Sequence, residues 1–332
     1  MSGGTPGGPD RTFVLTPGPH VRSSVSTSTI LWTVNASLLP VSLWGVWQFG
    51  WNALALIASA VAGAVGTEWL AMRALRRRFT FSDGTAFCAG LLLALTLPPR
   101  VPWWMALLGG AFGILFGKVI FGGLGNNLFN PACIGRAFML ATFPLPMTTA
   151  WAVPRHWLLG PLDAVSTATP LRVLKEEGMA ATEKLLAGHH GMWQTMLLGF
   201  RPGAVGEVSL VLLALGAAIL VARGIIGLAI PLSVFAGLAL STVFTGALAF
   251  HITAGGLWLG AFYMATDYVT SPNTRPGQIV FGFIIGMLTG IIRVFGGYPE
   301  GICYAILIGN ALVPALNLWF RPRRTAPVGA PS

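Results

Sequence analysis

Apolar residues in this chain run in long, nearly unbroken stretches, and the polar residues collect in the gaps between them. A helix needs about twenty predominantly apolar residues to cross the hydrocarbon core of a bilayer. Ten stretches meet or approach that requirement: 30–48, 52–72, 86–97, 101–121, 128–143, 208–222, 225–250, 256–269, 279–294 and 302–320. The third, fifth and eighth are short, and Asn130-Pro131 interrupts the fifth. Short or Gly/Pro-broken spans at corresponding places in two halves of a chain predict discontinuous helices around an internal site.

The halves do correspond. Gly113-x3-Gly117 followed by Gly122-Gly123 recurs as Gly286-x3-Gly290 followed by Gly296-Gly297. Upstream, Leu95-Thr96-Leu97-Pro98 matches Val269-Thr270-Ser271-Pro272, and the copies lie near 173 residues apart. Five spans per half is an odd number, so the second copy is expected to lie inverted in the membrane. The expected fold is an all-α polytopic membrane protein of about ten transmembrane helices in two inverted five-helix repeats, with a separate outer loop. The boundaries read from the pattern are a tail at 1–28, a first repeat at 29–143, a loop at 144–206, a second repeat at 207–320 and a basic tail at 321–332.

Composition agrees with the pattern. Of 332 residues 54% are hydrophobic and 9% charged, against roughly a quarter charged in soluble domains. The net charge of +10 does not point to nucleic acid, because basic runs interleaved with aromatics on a polar face are absent. It points to basic loops on one side of a membrane. With the N-terminus in the cytoplasm, the inner segments hold twelve of the basic residues, from Arg11 and Arg22 through Arg73–Arg78, Lys118, Arg223 and Arg275 to Arg321–Arg324. The short outer loops and helix ends hold Arg100, Arg136 and Arg293. Residues 1–28, rich in Gly, Pro, Ser and Thr, read as a soluble tail rather than a secretory signal. Cys88, Cys133 and Cys303 stand far apart in apolar stretches, with no disulfide or zinc spacing. They read as small buried side chains, and a four-thiolate cluster cannot come from this chain alone.

Ionisable groups inside spans are costly and often functional. Glu68, Asp83 and Asp267 stand out, and Asp267, in Met264-Ala265-Thr266-Asp267-Tyr268, is the strongest candidate for a buried functional carboxylate.

The long loop carries a second candidate. After Asp163-Ala164-Val165-Ser166-Thr167-Ala168-Thr169-Pro170-Leu171, the stretch to residue 186 places Leu171, Leu174, Ala181 and Leu185 on one helical face, with Gly178 weakening it. That predicts an amphipathic helix at the interface with Thr169 as N-cap and Pro170 as its first residue. A phosphate on the Thr169 hydroxyl would occupy the same position, where free N–H groups and the helix dipole favour an anion.

This segment resembles the flavinylation motif Asp-x-x-Ser/Thr-Gly-Ala-Thr, whose last Thr receives FMN through a phosphoester bond. Asp163, Ser166, Ala168 and Thr169 fit it, while Thr167 stands where the motif often has Gly. Its surroundings agree: Phe81-Ser82-Asp83-Gly84-Thr85-Ala86, 91–99, 122–131 with Asn126-Asn127 and Asn130-Pro131, and 260–272. Across roughly residues 20–320 the chain resembles the RnfD family of the Rnf electron-transport complex and, more distantly, the NqrB component of the sodium-pumping NADH:quinone reductase.

The resemblance implies one member of a six-subunit complex of the bacterial inner membrane, moving electrons between ferredoxin and NAD with coupled Na+ or H+ movement. It implies covalent FMN on the outer face and a second, non-covalent flavin (riboflavin in related complexes) among the helices. The implied partners are the other Rnf subunits (A, B, C, E and G), a flavin transferase for FMN attachment, and membrane lipid. The sequence shows no nucleotide-binding fingerprint and no iron–sulfur motif, so the NAD and ferredoxin sites are expected on partner chains. Phe143, Trp151 and Trp157 are either packing partners for the flavin ring or interfacial anchors, and Asp267 is expected to support the second flavin or the coupled ion. The same inverted-repeat pattern also serves channels and transporters of small solutes. Thr169 discriminates, because a channel has no use for a flavin attachment motif.

Overall fold

The structure, a computed structural model, describes residues 26–76, 83–154, 168–186, 192–207, 209–297 and 300–321. Helix α1 (Thr27–Phe49) starts where the Ser26 hydroxyl accepts from the Thr29 N–H at 3.1 Å, and Gly50, at φ 67°, turns the chain into α2 (Trp51–Ala74). Helices α3 (Thr85–Leu95) and α4 (Trp103–Ile114) follow, and α4 runs on into a π-helical turn, Leu115–Val119. Asn130 then starts α5 (Pro131–Thr142) by accepting from the Ala132 N–H at 2.9 Å, with Pro131 at the first helical position. Pro has no N–H to lose there.

Short helices α6 (Pro144–Thr149), α7 (Pro170–Glu177), α8 (Met179–Leu186) and α9 (Met192–Leu198) lead to α10 (Leu210–Ala222) and α11 (Ala229–Thr242). After a 3-10 turn at Val243–Thr245 come α12 (Leu248–Thr253) and α13 (Leu257–Leu259). A second π-helical turn, Gly260–Met264, leads to α14 (Arg275–Phe295) and α15 (Ile302–Trp319). The described residues contain no strand.

Helices α1, α2, α14 and α15 are each long and apolar enough to cross a membrane, and α3, α4, α10 and α11 are shorter apolar helices. Large apolar side chains such as Leu43, Trp51, Leu70, Leu240, Phe295 and Leu318 face outward. In water such a surface would aggregate, whereas in lipid it is at no disadvantage. The chain is a multi-pass membrane protein.

The glycine repeat has a packing reason. A Cβ on Gly113 would lie 2.5 Å from the Pro131 carbonyl oxygen, so its absence lets α4 lie on the start of α5. Gly286 likewise brings α14 against the Val234 carbonyl of α11. Small residues permit this close approach of helices in membranes. At an offset of 173 residues α2, α3, α4 and α5 fall on α11, α13 with its π turn, α14 and α15, and α2 packs on α4 as α11 packs on α14.

Three expectations change. The stretch 225–250 is not one helix, because Gly246, at φ 70°, ends the 3-10 turn in a left-handed conformation and α12 starts afresh. The stretch 256–269 is α13, a π turn and an irregular turn, so Asp267 sits past the helical part rather than inside it. The amphipathic helix is two helices, since Gly178 adopts φ 86° between α7 and α8. That break resets the buried face: Leu171 and Leu186 are buried, Leu174 and Ala181 partly so, and Leu185 is exposed.

Candidate functional site

Thr169 precedes α7 with an extended backbone (φ −70°, ψ 149°), and its carbonyl accepts from the N–H groups of Arg172 and Val173 at 2.9 and 3.1 Å. It is the N-cap by backbone only: its side chain makes no cap hydrogen bond, and its hydroxyl is buried without a partner among the described residues. An orphaned buried hydroxyl costs about 1–3 kcal/mol, so this one is held in place by its surroundings. Leu171 anchors α7 by packing into a cluster with Leu186, Met196 and Phe250. On the other side the Lys175 ammonium donates to the Gly296 carbonyl at the end of α14.

Thr169 thereby stands on the wall of a cavity of about 480 Å³. Arg172, Lys175 and Glu176 line it from α7, Arg136 and Leu140 from α5, Met147 and Trp151 from the α6 segment, and Phe295, Gly296, Gly297 and Glu300 from the end of α14 onward. Trp151 is buried and its indole N–H donates to the Thr148 carbonyl at 2.9 Å, which fixes the ring as part of the wall. Phe143 lies elsewhere, edge-to-face with Trp104 at 5.5 Å. Asp163, Ser166 and Trp157 lie outside the described residues. Ala168 is described and exposed.

Behind the cavity lies a buried charged layer. Arg136 donates to Glu300 and to the Thr96 carbonyl. Arg293 donates to the carbonyls of His251 and Ala254, and Arg201 to those of Glu207 and Thr253 at 3.2 and 3.3 Å. Glu207, in the turn before α10, accepts from the Ala204 N–H at 3.2 Å through one carboxylate oxygen. Burial first, and then the charge of Glu300, push its carboxyl up to about 7 against the opposing pull of Arg201 and Arg136. Burial pulls the Arg201 guanidinium down from its usual range. With Arg172 and Lys175 added, cations outnumber carboxylates here, so the place suits an anion.

A second cavity, about 90 Å³, lies at the other end of the bundle, between the starts of α1 and α3 and the ends of α4 and α10. Asp267 lines it from one half of the chain, facing Thr85, Lys118 and Asn127 from the other. Asp267 is half-buried and accepts from the Thr270 hydroxyl at 3.0 Å. Lys118, on the first π turn, donates to Glu68 at 2.6 Å and to the Thr85 hydroxyl, and lies 3.7 Å from Asp83. A π turn often marks a functional position. The Asn127 side-chain oxygen is buried and unpartnered beside the cavity. Glu68, Asp83 and Asp267 thus gather near one cavity, far from Thr169.

Sequence reasoning treated Lys118, Arg136 and Arg293 as loop-end charges, yet they are 4, 8 and 3% exposed. The signal was present, since each falls within a stretch read as a span. Glu207, Arg201 and Glu300 gave no such signal. Glu300 meets Arg136 and Arg201 meets Thr253 only in the folded chain, across 164 and 52 residues.

A family model, the NQR2, RnfD, RnfE family, matches residues 14–326. The chain is 41% identical, over 93% of its own length and 95% of the relative's, to the D subunit of the proton-translocating ferredoxin:NAD(+) oxidoreductase complex of Clostridium ljungdahlii. It is 39% identical to the D subunit of the Na(+)-translocating ferredoxin:NAD(+) oxidoreductase complex of Acetobacterium woodii, over 94% of each chain. To the D subunit of the ion-translocating oxidoreductase complex of Stutzerimonas stutzeri it is 41% identical, over 91% of this chain and 92% of the relative.

Proposed function

This chain belongs to the NQR2, RnfD, RnfE family, and from that membership we propose that it is the D-type membrane component of an ion-translocating ferredoxin:NAD+ oxidoreductase. It acts as an electron relay and not as a complete enzyme. The NAD and ferredoxin sites belong to partner chains, which in this reading are the A, B, C, E and G components of the complex.

The relay group is FMN joined covalently to Thr169 by a flavin transferase. The carrying observation is the Thr169 hydroxyl: buried, without a partner, at the start of α7, and on the wall of a cavity of about 480 Å³. The residues present fit the group. The Leu171 N–H at the start of α7, with Arg172 and Lys175, would hold its phosphate, and Met147, Trp151 and Phe295 offer apolar surface to its ring. When bound, the flavin supplies one-electron chemistry. Trp151 closes the cavity on the inner side while Arg172, Lys175 and Glu176 stand at its exposed edge, and the buried arginines set the charge around it.

A second flavin, riboflavin bound without a covalent link, belongs among the helices in this reading. The cavity lined by Asp267, at about 90 Å³, is below the roughly 300 Å³ of a small ligand pocket, so the helices around it would have to part to admit the ring. The unpartnered Asn127 oxygen and the Asp267 carboxylate supply polar contacts there, and Leu92, Ile114 and Phe262 supply apolar walls. Asp267 supports this flavin or the coupled ion.

The ten apolar stretches form two inverted five-span repeats, 29–143 and 207–320, in a bacterial inner membrane. Both termini are cytoplasmic, and the 144–206 loop with Thr169 is periplasmic. Charge supports this more strongly once Lys118, Arg136 and Arg293 are recognised as buried. Removing them from the count leaves eleven inner basic residues against Arg100 alone in the short outer loops.

The test is fluorescence of the denatured chain in a gel under ultraviolet light, which only a covalent flavin survives. Wild type is expected to fluoresce, Ser166→Ala to fluoresce less, and Thr169→Val to be dark while still inserted in the membrane. A flavin phosphate found by mass spectrometry on Thr169→Val would overturn the assignment.

A further inference from the structure

Beside Thr169 the larger cavity adjoins a second one of about 10 Å³, room for a single water molecule. Thr169, Arg201, Glu207, Gly255 and Glu300 line it. Glu207 is 5% exposed, and its two oxygens differ. Oε2 accepts from the Ala204 N–H, whereas Oε1 is buried with no partner among the described residues. A Cβ on Gly256 would stand 3.0 Å from Oε1, so the absence of a side chain there leaves that oxygen its room. Two orphaned oxygens, one on Thr169 and one on Glu207, therefore border one small cavity. Such pairs call for an explanation in a native structure.

We propose that Glu207 is a protonatable positioning residue for the group attached at Thr169, taking up a proton when that group gains an electron and releasing it when the electron leaves. The proposal rests on the flavin assignment at Thr169. The charges facing Glu207 come from four segments: Glu300 before α15, Arg201 after α9, Arg136 on α5 and Arg293 on α14. Burial first, and then Glu300, push its carboxyl up to about 7 against the pull of Arg201 and Arg136, so a nearby change of one charge decides whether the proton is bound. A phosphoester to Thr169 is a diester, with one fixed negative charge and no proton to exchange near neutrality, and of the carboxylates lining the small cavity Glu207 is the one with a buried, unpartnered oxygen among the described residues.

In the balanced step, one electron comes from the upstream carrier of the complex and one proton from the outer aqueous phase. Glu207 forms its O–H bond as the electron arrives. On reoxidation the electron passes to the next carrier and that O–H bond breaks. The carboxylate thereby neutralises the added charge in a buried place, where an uncompensated one is costly.

The test uses the whole complex, with covalent flavin on this chain first verified by fluorescence of the denatured band. Midpoint potentials of that flavin are then measured on both sides of neutrality for wild type and Glu207→Gln. The amide oxygen of Gln still accepts from Ala204. The two curves are expected to coincide at acid pH, where the carboxyl is neutral, and to part above neutrality, with the variant easier to reduce. Curves that coincide throughout, or differ by a constant offset, overturn the proposal. Redox-difference infrared spectra of wild type are expected to show a carboxyl C=O band that shifts in heavy water and is missing from the variant. If the variant does not assemble, the wild-type spectrum decides, and the absence of that band overturns the proposal. A dark band at this chain's mass defeats the Thr169 assignment itself, and the proposal with it. A fluorescent band with coincident curves defeats the proposal alone.

Discussion

The backbone N–H of Asn130 donates to Oδ1 of Asn310 at 3.1 Å, joining two buried asparagines 180 residues apart. The amide of Asn310 donates in turn to the Thr270 carbonyl at 2.8 Å, and that of Asn130 to the Met264 carbonyl at 3.1 Å. The start of α5 and the irregular turn after Met264 are thus joined directly by Asn130 and through Asn310 in the interior of α15. Asn310→Ala leaves the Asn130 N–H and the Thr270 carbonyl without partners. At about 1–3 kcal/mol for each buried group, the variant is expected to lose roughly 2–6 kcal/mol. A thermal melt of the detergent-solubilised chain checks this, and an unchanged midpoint would count against it.

Lys118 and Glu68 form a second buried pair, at 2.6 Å. Removing one partner strands the other charge, which costs about 3–5 kcal/mol, whereas replacing both by neutral groups is often nearly free. Lys118→Met is therefore expected to lower yield and thermal stability strongly, and the double variant Glu68→Gln/Lys118→Met to recover most of the loss. A double variant no better than the single one would mean that Lys118 matters through Asp83 or Thr85 instead.

Glu207 makes stability depend on pH. Its folded-state carboxyl, at about 7, lies above the ordinary 4.5. Below 4.5 both folded and unfolded chains hold the proton, so it has no effect. Between 4.5 and 7 the unfolded chain releases it and the folded chain retains it, so stability falls as pH rises, by about 1.4 kcal/mol per unit. Above 7 the cost is constant. Glu207→Gln should match wild type in acid and become the more stable protein towards neutral pH. Melting midpoints of the two across that range test it, and parallel curves would refute it.

Asp267→Asn keeps an oxygen to accept from the Thr270 hydroxyl but removes the charge from the cavity. The variant is expected to assemble and to fluoresce at Thr169 as wild type does. Its electron transfer through the complex should fall, or its ion movement per electron should drop. Unchanged turnover with unchanged ion movement would return Asp267 to a structural role.

The apolar stretches were legible because crossing a membrane is a requirement on local length and composition, and each of them carries a helix. The glycine repeat was legible too, since close approach needs a missing side chain at a set spacing, as at Gly113 and Gly286. Thr169 could be placed at a helix start because Pro170 and the turn that follows are local signals. Its buried, unpartnered hydroxyl could not, because that depends on how α7 docks against α12 and α14. The tertiary structure alone decided the pairing of charges. Arg136 meets Glu300 across 164 residues and Lys118 meets Glu68 across 50. A basic residue near the end of an apolar stretch reads the same whether it turns to water or inward. The choice depends on whether a carboxylate or carbonyl from another segment waits there, since a buried charge persists only when paired.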